Sequence, residues 1–68
     1  MDLCRQFGAN VKRLRKEAGL SQEEFAEKAG VARSYMSDVE VGDRNPTLKV
    51  VERLALALGV PAASLLQE

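Results

Sequence analysis

The tightest constraint in this chain is a helix-start signature at Leu20-Ser21-Gln22-Glu23-Glu24-Phe25. Ser21 and Glu24 stand three apart as S-x-x-E, a capping box in which each side chain satisfies an otherwise unpaired backbone N–H. Leu20 before the cap and Phe25 four places after it suit a hydrophobic staple, which fixes the angle at which the chain enters the helix. The helix so started runs through Ala26 and Ala29 and stops at Gly30, a residue that takes the left-handed conformation at little cost. Met36 and Val39, three apart, then begin a second apolar face that ends near Glu40. A short helix, a tight glycine turn and a second short helix make a helix-turn-helix.

The flanking segments extend the pattern. Asp2 is placed to cap a first helix whose apolar residues Leu3, Phe7, Val11, Leu14 and Ala18 step by four, four, three and four. Gly8 inside that stripe marks a close packing contact, and Gly19 ends the helix. Ala32 is a poor cap for the third helix. After Glu40 comes a polar loop, Val41-Gly42-Asp43-Arg44-Asn45-Pro46, in which Pro46 keeps Asn45 out of helical conformation. Thr47 caps a fourth helix carrying Leu48, Val51, Leu54, Ala55 and Leu58, and Gly59 stops it. Pro61 suits the first position of a last short helix bearing Leu65 and Leu66. No stretch reads as a strand. The prediction is an all-α, compact five-helix domain spanning residues 1–68, with the helix-turn-helix at helices two and three.

Composition narrows the function classes. Sixty-eight residues suit one domain. An apolar content of 46% argues against disorder, and no apolar run approaches the roughly 20 residues of a membrane span. A soluble, cytoplasmic, nucleoid-associated protein is expected, with no membrane contact. A single cysteine and no histidine leave no internal disulfide and no zinc set, so neither metal nor cofactor is expected. Cys4 reads as a small, partly buried residue of the first helix. An enzyme is disfavoured: there is no histidine, no Gly-rich phosphate loop and no partnered cysteine, and Glu23, Glu24 and Glu27 fall on an exposed helix face.

Net charge is zero, yet its distribution is uneven. Residues 1–20 carry five cations against two anions, and residues 21–40 carry two cations against five anions. A basic first helix beside an acidic second one makes a polar molecule with opposed faces.

The run Gly19 to Ala26, then Gly30-Val31, Val39-Glu40, Gly42 and finally Leu56-Ala57-Leu58-Gly59-Val60-Pro61 resembles the helix-turn-helix family of lambda-type repressors and Cro. The likeness covers about Phe7 to Leu66. Within that Xre-type family, Arg33 to Glu40 with Gly42 and Arg44-Asn45-Pro46-Thr47-Leu48 looks most like the small controller proteins of restriction–modification systems, which are single-domain dimers. The resemblance implies a sequence-specific transcriptional regulator that binds double-stranded DNA as a homodimer on an inverted repeat.

On that reading the third helix enters the major groove, where each base pair shows a distinct pattern of donors and acceptors. Met36 and Val39 turn inward and leave Arg33, Ser34, Ser37 and Asp38 to read base edges. Arg33 can donate two bonds to guanine; Asp38 can accept from cytosine N4 or orient Arg33 or Arg44. Gln22, Tyr35, Arg44 and Asn45 are the phosphate candidates, followed by Lys12 and Arg13. Val41 and Asp43 depart from the polar or basic residues common at those loop positions in the family. Arg15 and Glu40 resemble a pair that the family uses as a salt bridge between the first and third helices. Leu65 and Leu66 are the dimer-interface candidates. The competing class is a protein-interaction module of the same fold, binding a toxin or a subunit of RNA polymerase.

Overall fold

A computed structural model describes residues 2–67, and the chain order is four α-helices and a closing turn of 3-10 helix. They are α1 (Leu3–Glu17), α2 (Gln22–Ala29), α3 (Arg33–Glu40), α4 (Leu48–Leu58) and the 3-10 turn at Ala62–Leu66. Among the described residues there is no strand, and no helix is long and apolar enough to cross a membrane.

Local chemistry starts three of the four helices. The Asp2 carboxylate accepts from the backbone N–H groups of Cys4 and Arg5 at 3.0 and 3.4 Å. The Ser21 hydroxyl accepts from Glu24 N at 3.0 Å, while the Glu24 carboxylate accepts from Ser21 N at 2.9 Å, which completes the capping box. The backbone and side chain of Ser21, in that order, hold the Glu24 carboxyl below its ordinary range, because both interactions favour the ionised form. Thr47 Oγ1 accepts from Val50 N at 3.2 Å. Ala32 gives α3 no side-chain cap. Tertiary contacts must therefore hold α3 in place.

The fifth helix of the sequence reading is corrected to a single 3-10 turn. Pro61 sits outside it as the cap residue, with extended backbone, and Ser64 N donates to Pro61 O three residues back at 2.9 Å. Five residues are too few to recover the nucleation cost of an α-helix, whereas i→i+3 bonds close one turn at once. Side chains of α1 tie this turn down: Asn10 Nδ2 donates to the carbonyls of Leu65 and Gln67 at 3.0 and 2.7 Å, and Gln6 Nε2 donates to Leu66 O at 3.1 Å. Leu65 is thereby driven fully into the core, so its place in a subunit interface is also corrected. Leu66 remains 46% exposed.

The core collects one or more residues from every element. Val11, Phe25, Met36, Val39, Leu54 and Leu65 are its largest fully buried side chains, each contributing about 1.5–3 kcal/mol by transfer from water. Leu20 packs against this cluster from the turn before α2. The α1 stripe is narrower than its spacing suggested, because Leu3 is 59% exposed and Ala18 is also exposed. Arg15 is buried in their stead.

Helix α1 crosses the end of α3 at Gly8. A Cβ placed on Gly8 would run into the carbonyl oxygens of Val39 and Glu40, so only a glycine allows this approach. Gly42, which follows α3 at φ +82°, has Arg5 against it and is likewise without room for a side chain. Gly8→Ala is expected to lower stability by about 3 kcal/mol, since backbone oxygens cannot rotate aside as a side chain can. Urea denaturation followed by circular dichroism checks this through a fall in midpoint at unchanged slope.

Candidate nucleic-acid interface

Helix α3 presents two unlike faces. Met36 and Val39 are buried, Arg33 and Ser34 are exposed, and Tyr35, Ser37 and Asp38 are half-buried at the margin. Arg33 enters none of the ion pairs among the described residues. Its guanidinium is therefore available with all five donors.

The inward face is held by a charge network around Glu40. Arg15 Nε donates to Glu40 Oε2 at 2.7 Å and Arg15 Nη2 to Glu40 Oε1 at 3.1 Å, a bidentate pair. Gln22 Nε2 adds a third donor to Glu40 Oε1 at 3.1 Å. The remaining fork nitrogen, Arg15 Nη1, donates to Leu20 O at 2.8 Å. The two side chains are only 10% and 2% exposed, and no buried side-chain polar atom among the described residues lacks a partner. One carboxylate thus joins α1, the first residue of α2 and the last residue of α3. A sequence pattern names Arg15 and Glu40 through a resemblance, but nothing in spacing alone would direct Gln22 inward.

A second cluster lies on the outer edge. Arg44 Nε donates to Asp38 Oδ2 at 3.3 Å, and the Arg44 guanidinium sits over the Tyr35 ring, 5.4 Å from its centre. Of the two arginines that Asp38 could have oriented, the structure pairs it with Arg44. Asn45 faces elsewhere, its Oδ1 4.0 Å from Cys4 Sγ at the start of α1. Lys12 and Arg13 are exposed on α1, with Arg13 pairing to Glu17 at 3.5 Å.

Beside Asn45 runs an apolar groove lined by Leu3, Cys4, Phe7, Pro46, Leu48 and Leu66, among others. Periodicity had placed Leu3 and Leu48 on core stripes; instead Leu48 is 87% exposed. Both are first residues of their helices, where the turn that would cover them does not exist. A periodicity broken at helix ends was the signal available for this groove.

Removing one partner of the buried pair leaves an uncompensated charge, whereas removing both does not. Arg15→Met is expected to cost about 3–5 kcal/mol, most of a small domain's stability. The double variant Arg15→Met/Glu40→Leu is expected to be the more stable of the two, as chemical denaturation of both would show.

A helix-turn-helix family model matches residues 11–65. An HTH-type transcriptional regulator of Sinorhizobium fredii, y4dJ, itself uncharacterized, is 47% identical over 60 residues, covering 88% of this chain and 78% of that protein. The crystal structure of the restriction–modification controller protein C.AhdI from Aeromonas hydrophila is similar at TM-score 0.89 and 40% identity, over 91% of this chain and 94% of that one. SinR, the master regulator for biofilm formation, is similar in its crystal structure with DNA at TM-score 0.86 and 42% identity, over 90% of this chain and 98% of that one. Against the full SinR of Bacillus subtilis, 44% identical over 63 residues, 91% of this chain is matched but only 57% of the relative's length. The chain belongs to the Xre-type helix-turn-helix family.

Proposed function

We propose that the chain is a sequence-specific transcriptional regulator that inserts α3 into the major groove of double-stranded DNA and binds as a homodimer on an inverted repeat. The observation that carries this is the division of α3: one face fixed to the core and to Arg15, the other offering Arg33 and Ser34 without a protein partner. A rigid helix with unspent donors on its outer face matches what groove reading requires, since base edges are recognised by donors and acceptors held in register. SinR, solved with DNA, supports the reading by its similarity over nearly the whole of this chain.

In this mechanism Arg33 donates to guanine O6 and N7, and Ser34, Ser37 and Asp38 reach adjacent base edges. Phosphates fix the register without carrying sequence information. Gln22, at the first turn of α2, offers its second amide hydrogen there, where backbone N–H groups also favour an anion. Tyr35 and Arg44 supply the other phosphate contacts, and Asn45, its Oδ1 turned toward Cys4, offers only its amide nitrogen.

Two copies place two α3 helices on half-sites roughly 34–36 Å apart. A two-fold interface must be self-complementary, and the groove between α1 and α4 offers apolar wall and apolar ridge together in Leu3, Leu48 and Leu66. The similarity to C.AhdI supports a controller of a restriction–modification operon.

Duplexes enriched by the chain from a random-sequence pool test the reading. Enriched inverted repeats bound more tightly than random duplex, with affinity falling steeply as salt rises, are expected. Arg33→Ala should lose roughly 1–3 kcal/mol of discrimination at one base pair while keeping most random-duplex affinity. Leu48→Glu should yield a monomer by sedimentation and halve the footprint; an unchanged dimer would move the interface elsewhere.

A further inference from the structure

Asp38 is an acid at the margin of the face assigned to DNA, one turn of helix from Ser34, where phosphate makes any carboxylate unfavourable. Its placement suggests why it is there. Its Oδ2 accepts from Arg44 Nε at 3.3 Å, with side-chain exposures of 40% for Asp38 and 54% for Arg44. Tyr35 lies under the same guanidinium, so Arg44 is confined between a ring face and a carboxylate. An exposed pair of this kind contributes little to fold stability. Its charge consequence is larger, because Asp38 cancels the one cation of the α3–α4 loop, and Asp43 two residues after Val41 adds a further negative charge.

We infer that Asp38 acts as a specificity filter: paired with Arg44, it withholds that arginine's charge from random-sequence DNA and releases it only where a base amino group takes the carboxylate. The inference rests on the DNA-binding reading and says how one residue of that face works. On random duplex, Arg44 can turn its Nη nitrogens to a phosphate while Asp38 on its Nε cancels the charge it brings; to bring the full charge it must leave Asp38, which then faces the phosphates without a donor. Where cytosine N4 or adenine N6 comes within reach, the amino group replaces the guanidinium on Asp38. Arg44 then moves fully onto phosphate, and the two exchanges proceed together. Discrimination arises from the penalty on wrong sites as much as from the bond at the right one.

Counterion release measures this directly, since each phosphate newly neutralised steepens the salt dependence of binding by about 0.9. Asp38→Asn keeps shape and an acceptor but removes the charge. With the full chain on random duplex, the variant is expected to bind about tenfold more tightly at low salt and to show a log–log salt slope steeper by about 0.9. Its preference for the enriched duplex over random duplex should shrink. In an Arg44→Met background the same substitution should leave the slope unchanged, because no cation is there to be released. An unchanged or weaker random-duplex affinity for Asp38→Asn, or an equal slope change in the Arg44→Met background, overturns the filter while leaving DNA binding intact. Wild-type chain that binds neither duplex at low salt overturns the DNA reading itself and the filter with it. Matching thermal unfolding of all four chains shows that no result comes from misfolding.

Discussion

The structure depends on a single buried carboxylate. Glu40 closes α3, and its two oxygens take two hydrogen bonds from Arg15 and one from Gln22. That arrangement solves a problem the sequence creates, because α3 has no side-chain cap at Ala32 and is only eight residues long. Eight residues are too few for a helix to persist by propensity. Met36 and Val39 supply burial but can slide or rotate by small amounts; a bidentate pair with fixed fork geometry cannot. An ion pair so deeply buried is weak evidence of net stability and better evidence of fixed geometry. Base reading by α3, as proposed, would have use for that geometry.

Gly8 serves the same end by a different means. Its missing side chain lets α1 approach the last carbonyls of α3, and from two turns further along α1 the Arg15 side chain reaches the Glu40 carboxylate. Packing and charge thus act on one helix end from one neighbour.

Legibility in the sequence followed the range of the interaction. The α2 capping box, the Asp2 and Thr47 caps and the Gly30 stop are complete within a few residues, so their chemistry can be read from spacing. The Arg15–Glu40 pair spans 25 residues and was readable only through family resemblance. Gln22 turning inward, and Asn10 and Gln6 seizing the last carbonyls, left no trace, since an amide on a helix surface has no period that marks its partner. Leu65 and Leu48 were both misplaced for a related reason. Periodicity assigns a face within a helix, but whether that face is covered depends on elements that pack there. The last turn covers Leu65, and nothing covers Leu48 at the beginning of α4.

The seizure of the carbonyls at residues 65–67 by Asn10 and Gln6 bears on how the chain acquires this shape as it is made. Helix α1 emerges first, yet the contacts that finish its burial come from the opposite end of the domain. Phe7 and Val11 stay uncovered on one side until those late residues arrive. Helix α2 can begin early from its capping box, but α3, which has no side-chain cap, waits on its tertiary contacts. In vectorial synthesis the bonds that complete the burial of α1 therefore form last, after every residue of α2 and α3 has been made.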